Sequence, residues 1–240
     1  MDKQYYRAKD RGHLEAGWLN SYYSFKFETM DEFEKIRFGQ LRMLNNDTIR
    51  GGTGFQSHPH KNMEIVTIPL SGGLLHRDSL GNTHKILPGD VQVMTAGTGI
   101  IHSEWNLYGD RDTNFLQIWV FPHKNGLAPR YDQRSFKTKD RINTWDLQIA
   151  PASRAPLTLH QDAWFSRILL EAGSQIRYQV YQQGNGVLFY VILGEAQINA
   201  ELFSTADAVG FRNRAEITLT ALIPTDILAI EVPLKKNNAI

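Results

Sequence analysis

"GGTGFQSHPHKNMEIVTIPLSGG", residues 51–73, decides how the rest of the chain is read. Glycines lead into His58-Pro59-His60, and the alternating, β-branched run "MEIVTIPL" at 63–70 then stops at the turn "SGG". Side chains at i and i+2 of a strand share a face, so His58 and His60 project together with Cα atoms about 6–7 Å apart. Pro59 faces the other way and offers no ladder donor, which places it at a sheet edge or bulge, where side chains are re-aimed at sites. Paired imidazoles repel once both are protonated, so something other than a proton on each must favour the arrangement.

The rhythm continues on both sides. "THKIL", "DVQVMT", "GIIHSEW" and "NFLQIWVF" are separated by the turns "DSLGN", "PGD" and "AGTG". After residue 165 come "SRILLEAG", "QIRYQVYQ", "GVLFYVIL", "AQINAEL", "AEITLTALI" and "DILAIEVPL". Strands at this spacing predict an all-β chain of barrels or sandwiches. The best helical candidate is the short segment 30–41, "MDEFEKIRFGQL". A weak repeat relates the halves: Gly52 precedes His58 by six residues as Gly173 precedes Gln179, and Gly72 and Gly194 follow at similar distances. In that register Gln179 and Tyr181 stand where the first half has His58 and His60. Two barrels are expected, joined near residues 122–145: 1–133 with the chemistry, 134–240 without it.

Composition narrows the function. Lys plus Arg number 26 against 25 acids, a net charge of +1, which argues against direct contact with nucleic acid. Arg134, Lys137, Lys139 and Arg141, the one basic cluster, read as a solvated linker. With no cysteine there is no disulfide, thiolate metal site or thiol nucleophile, so a metal must be held by nitrogen and oxygen. "MDKQYYRAKDRG" lacks a signal core, and "VLFYVIL" is far short of the ~20 residues of a membrane helix. A cytoplasmic, monomeric protein without membrane contact is the expectation.

A second i, i+2 pair, His102 and Glu104 in "GTGIIHSEWN", joins the first. Three imidazoles and one carboxylate suit a divalent first-row metal, and four protein ligands leave one or two positions open, the mark of a catalytic site. Gly97 and Gly99 serve the turn ahead of this strand. Met94, Phe55, Trp18, Phe25 and Phe27 read as packing residues. His13, His76, His84, His123 and His160 lack such pairing and read as solvated or locally hydrogen-bonded.

Gly52-x5-His58-x-His60-x3-Glu64-x7-Gly72 resembles the first cupin motif with one extra residue, and Gly89-x7-Gly97-x-Gly99-x2-His102-x3-Asn106 resembles the second, with Gly97 where many cupins carry proline. The chain more closely resembles the pirin family of bicupins, in "RGHLEAGWLNSYYSFKF" (11–27), "GFQSHPHKNMEIVT" (54–67), "RDSLGN" (77–82) and "PGDVQVMTAGTGIIHSEWN" (88–106). "LQIWVFP" and "PRYDQRSF" extend the match; beyond residue 136 it rests on strand pattern and "HQDAWFSRILLEAGS". Tyr23 departs from the histidine common in relatives, and residues 28–36 fit poorly.

The resemblance implies two cupin β-barrels and, residue by residue, metal ligands at His58, His60, His102 and Glu104. Glu64, a ligand in other cupins, is expected beside the ligands here, orienting an imidazole, with a direct bond to the metal as the alternative. Iron is the implied ion, with Mn, Co, Ni, Cu or Zn able to use the same donors. Some bacterial relatives are quercetinases, which implies a dioxygenase that opens a flavonol or similar phenolic with dioxygen, Glu104 taking the substrate's proton. The alternative is a redox-sensing regulatory protein that acts through a protein partner without turnover. A metal-free isomerase or sugar-binding barrel is a third reading, for which four ligands would be superfluous. Imidazoles with a reference pKa of about 6.5 imply metal loss near pH 5–6.

Overall fold

The protein is described by a computed structural model covering residues 2–25 and 37–235. Alternating apolar runs become strands, and these assemble into four sheets. In the first half a seven-stranded sheet runs, edge to edge, Arg130–Ser135, Asp90–Thr95, Glu64–Ser71, Thr113–Val120, Leu41–Ile49, Leu19–Tyr23 and Gly12–Glu15. Facing it is a four-stranded sheet of Gly54–His60, Ile100–Asn106, Leu74–Asp78 and Thr83–Ile86. The second half repeats the plan. Lys3–Tyr6, Ala208–Phe211, Asn185–Leu193, Thr225–Pro233, Trp164–Leu170, Asp146–Ala150 and Leu157–Thr158 form its large sheet. Gln175–Gln179, Glu216–Ala221, Glu195–Ile198 and Glu201–Ser204 form its small one. The expected pair of β-barrels is present, and the repeat is one of topology.

The period of two decides which residues go where. Along the first half's central strands, Val66, Ile68, Val91, Val93, Leu116, Ile118 and Val120 point to one face. They share a single core with Phe165, Leu188, Tyr190, Leu228, Ile230 and Val232 of the other large sheet. The two barrels are thus joined by a sheet-to-sheet seam of aliphatic side chains. The opposite faces line the barrel interiors. That of the second barrel is continuous and apolar, built on Tyr178, Phe189, Phe203, Phe211, Ile217 and Leu219. That of the first is split into two small clusters, one around Ile49, Leu74, Ile86 and Phe115 and one around Ile65, Met94, Ala96 and Ile100.

Several expectations are refined. The repeat's register is off by one: Tyr178 is buried inside the second barrel, while Gln179 is exposed and donates to Glu216. A one-residue slip exchanges the faces of a whole strand, and counting glycines does not resolve it. Of the helical candidate 30–41, residues 30–36 lie outside the described residues, and Phe38 and Leu41 form a β-bridge about a turn. Arg141 of the basic cluster is buried, 3.9 Å from Asp226, beside the Arg167–Asp226 pair. Lys3–Tyr6 pairs with Ala208–Phe211, so the start of the chain edges the second barrel. We keep the division at residues 133 and 134 as a proposal, with Lys3–Tyr6 assigned by its pairing to the second barrel. Arg130–Ser135, which straddles the boundary, pairs into the first.

Candidate metal centre

Gly54–His60 is an edge strand of the small sheet, as the proline requires, and Pro59 sits opposite Ile101. His102 faces His58 across the ladder, but two residues on, Glu104 faces Phe55, so the edge strand bulges between. His58 thus shares the face of His102, while the extra residue shifts the pairing between His58 and Phe55. Gly54 lies so near the bulged pairing that a Cβ there would stand 2.4 Å from the Glu104 carbonyl oxygen. Gly97, at φ +48°, leaves no space for a side chain ahead of the His102 strand, since a Cβ would meet the Leu127 carbonyl at 2.0 Å. The three imidazoles converge, with ring centroids 4.4 Å apart for His58 and His102, 4.8 Å for His58 and His60, and 4.9 Å for His60 and His102.

Their hydrogen bonding indicates what they await. His58 Nδ1 lies 2.7 Å from the Gln56 carbonyl oxygen, which can only accept, so Nε2 keeps its lone pair. His102 is 1% exposed, and neither ring nitrogen has a hydrogen-bond partner among the described residues. An imidazole buried in that state is costly unless another group completes it. A proton is disfavoured: burial, with His58 and His76 adding to it, pushes His102 down to about 3. Burial, with His102 and His58 close by, takes His60 down to about 4. Neutral nitrogen donors facing one another fit a divalent cation.

Glu104, 2% exposed, extends the set inward. Its Oε2 accepts from the Gln117 amide at 2.9 Å, and the Thr67 hydroxyl stands 3.4 Å from Oε1 and 3.0 Å from Gln117 Oε1. Ligand atoms of His58, His60 and His102 lie within 4.8 Å of one another, and so do those of His76, His102 and Glu104. The four expected residues thus fall in two overlapping groups of three that share His102, and the second group also contains His76.

Residues 5–120 match the family model described as Pirin, and residues 149–232 match that of the quercetinase C-terminal cupin domain. The chain is 36% identical to the quercetin 2,3-dioxygenase of Escherichia coli K12, over 95% of this chain and 97% of that one. It is 33% identical to a pirin-like protein of Caulobacter vibrioides, over 92% and 95% of the two chains. The chain belongs to the pirin family. Among solved structures, the bacterial pirin YhhW of E. coli in complex with nickel(II) superposes with a TM-score of 0.89 at 35% identity, covering 96% of this chain and 99% of that one. An Acinetobacter baumannii quercetin 2,3-dioxygenase, at 21% identity and TM-score 0.76 over 97% and 87% of the chains, shares the fold.

In this pirin Glu64 is not where the motif suggests. It lies on the seam side of its strand, an odd number of residues from the inward-facing Thr67. Its Oε2 accepts from the Thr95 hydroxyl at 3.0 Å and from the backbone N–H of His160 at 3.3 Å. Burial pushes its carboxyl up to about 7 against those bonds. Asp47, inside the first barrel, is likewise pushed up to about 7 by burial, opposed by the Ser21 hydroxyl and helped by Glu104. Met94 and Phe25 are core residues as expected, and Phe27 lies outside the described residues.

Beside His58 opens a cleft of about 640 Å³ whose wall is aromatic: Trp18, Phe55 and Trp105. Trp18 and Phe55 pack against the core cluster of Ile49 and Phe115 as expected, but they are only partly buried and also line this cleft, Trp18 edge-on to Phe55 at 5.0 Å. The second barrel's buried carboxylate, Glu231, is saturated by the backbone N–H groups of Tyr181 and Gln182, the Asn185 amide and the Tyr178 hydroxyl. Both candidate ligand groups found among the described residues lie in the first barrel.

His76 is the site residue that sequence reasoning passed over. It stands opposite Glu104 on the neighbouring strand and is fully buried, with Nε2 3.0 Å from Asp78 Oδ2. The register needed to see this is that of Leu74–Asp78 against Ile100–Asn106, two strands far apart in sequence.

Proposed function

We propose that this pirin is a metal-dependent dioxygenase of the quercetin 2,3-dioxygenase type, and that His58, His60, His102 and Glu104 hold its single divalent ion. The observation that carries the reading is the buried, unpartnered His102, which shares one candidate ligand group with His58 and His60 and a second with Glu104. Iron is proposed as the working ion; the nickel(II) complex of the E. coli relative supports a first-row divalent ion of this ligand preference. Such an ion, when bound, would supply Lewis acidity toward a phenolic oxygen and a meeting point for dioxygen.

The protein's own groups supply the rest. The cleft has room for a compact polycyclic phenol, within the usual range for ligand pockets. Trp18, Phe55 and Trp105 present ring faces and edges that hold a planar substrate by offset or edge contacts. Glu104 takes the 3-hydroxyl proton of a flavonol, and the Gln117 amide holds the carboxylate in place meanwhile. Thr67 fixes the amide's orientation by donating to its oxygen. The deprotonated substrate reacts with dioxygen to give a depside ester and carbon monoxide, the stoichiometry of this ring opening.

Oxygen uptake and loss of quercetin absorbance, measured on protein loaded with Fe(II), Co(II) or Ni(II), test the assignment. Turnover with at least one ion is expected, and Glu104→Gln is expected to reduce it 10²-fold or more. Equal activity in Glu104→Gln and the parent, or no turnover with any ion although one binds, would overturn it; the second result would favour the regulatory alternative.

A further inference from the structure

The ligand set leaves one nitrogen of His102 unexplained. Two nitrogens of one imidazole cannot both turn to the same ion, and a buried metal-bound imidazole needs an acceptor for its other N–H. His58 and His60 lie on the ion's side. Glu104 is itself assigned to the ion and already receives the Gln117 amide. The remaining neighbour is His76, whose ring centroid stands 5.3 Å from that of His102 with the ring planes 52° apart, the two not hydrogen-bonded as they stand.

The chemistry of His76 makes it an acceptor. Its Nε2 faces Asp78 Oδ2 at 3.0 Å, and a carboxylate only accepts, so the proton is on Nε2 and Nδ1 has a lone pair. That Nδ1 is buried and has no partner among the described residues. Asp78 is fixed in turn, its Oδ1 accepting from the backbone N–H groups of Leu80 and Asn82 and its Oδ2 from the Asn82 amide. The whole "RDSLGN" turn, which the oxygenase chemistry does not otherwise use, thereby holds one carboxylate in register.

We propose that His76 is a positioning residue: Asp78 locks its tautomer, and its Nδ1 accepts the non-coordinating N–H of His102, so that the turn at 77–82 sets the orientation of the metal-binding imidazole. This rests on His102 being a ligand, as proposed above. Leucine at 76 removes the acceptor while filling the space; asparagine restores an acceptor near the place of Nδ1; and Asp78→Asn offers His76 a donor, which reverses its tautomer.

The test is the rate at which Ni(II)-loaded protein gives up its ion to excess chelator, together with long-range ¹⁵N–¹H correlations of the imidazoles in the Zn(II)-loaded protein. Release 10–100-fold faster than in the parent is expected for His76→Leu and Asp78→Asn, with His76→Asn within a few-fold of the parent. His76 should appear with its proton on Nε2, and His102 with one nitrogen metallated and the other protonated. If His102 is metallated but His76 has its proton on Nδ1, or if His76→Leu releases nickel at the parent rate, the positioning role is overturned while the ligand assignment stands. If His102 is not metallated at all, the ligand assignment itself falls. The correlations are read on the parent protein, so they decide the matter even if a variant does not fold.

Discussion

At the scale of single residues, the site is an economy of lone pairs. Proline between His58 and His60 keeps the strand at a sheet edge, the Gln56 carbonyl chooses the tautomer of His58, and burial denies His60 and His102 their protons. That last effect revises the acid stability of the centre. From reference imidazoles, metal loss is expected near pH 5–6. In the folded site, however, protons compete for His60 and His102 only as pH approaches about 4 and about 3. The sign is that of a depressed pKa: between these values and about 6.5 the unfolded chain binds protons that the native chain refuses. Metal-free protein therefore loses stability as pH falls through this window, while bound metal resists it. Equilibration at pH 5.5 followed by elemental analysis should find the ion retained, with release setting in near pH 4; half-release at pH 6 or above would contradict the burial argument.

At the scale of elements, alternation along strands separates three environments that the linear motif runs together. Within Glu64–Ser71, Thr67 reaches the Glu104 network, Ile65 packs with Met94, Ala96 and Ile100, and Glu64 belongs to the seam. Its carboxyl, raised from 4.5 to about 7, retains a proton that the unfolded chain has released. The stability it contributes is complete below about 4.5 and is lost as pH rises through about 7. Glu64→Gln should therefore raise the melting temperature at pH 8, by the equivalent of about 1–3 kcal/mol, and change it little at pH 4.5. An equal effect at both pH values would place the carboxylate in a polar site instead. The strands and three imidazoles were legible because periodicity and i, i+2 spacing are local. The face of Glu64 and the position of His76 opposite Glu104 were not, because both depend on cross-strand register, which bulges and turns shift by one residue at a time.

At the scale of the whole molecule, two copies of one plan have diverged in what fills them. The second barrel is packed with aromatic and aliphatic side chains and closes its one deep carboxylate with four donors. The first divides its apolar interior into two patches and leaves unsatisfied nitrogens and an aromatic cleft between strands. Packing the large sheets back to back lets the second barrel bear on the scaffold of the first, so a polar interior is tolerated where chemistry needs it. That division was only half visible in the sequence: the paired histidines mark the first barrel as the candidate for chemistry, but the second barrel's use of the strand Lys3–Tyr6 depends on a pairing more than two hundred residues apart. The central claim is that one divalent ion sits among His58, His60, His102 and Glu104. Anomalous diffraction at the nickel edge from crystals of the Ni(II)-loaded protein tests it most directly. One peak is expected, about 2.0–2.2 Å from a nitrogen of each imidazole and from a Glu104 oxygen; a peak elsewhere, or none within reach of His102, would contradict it.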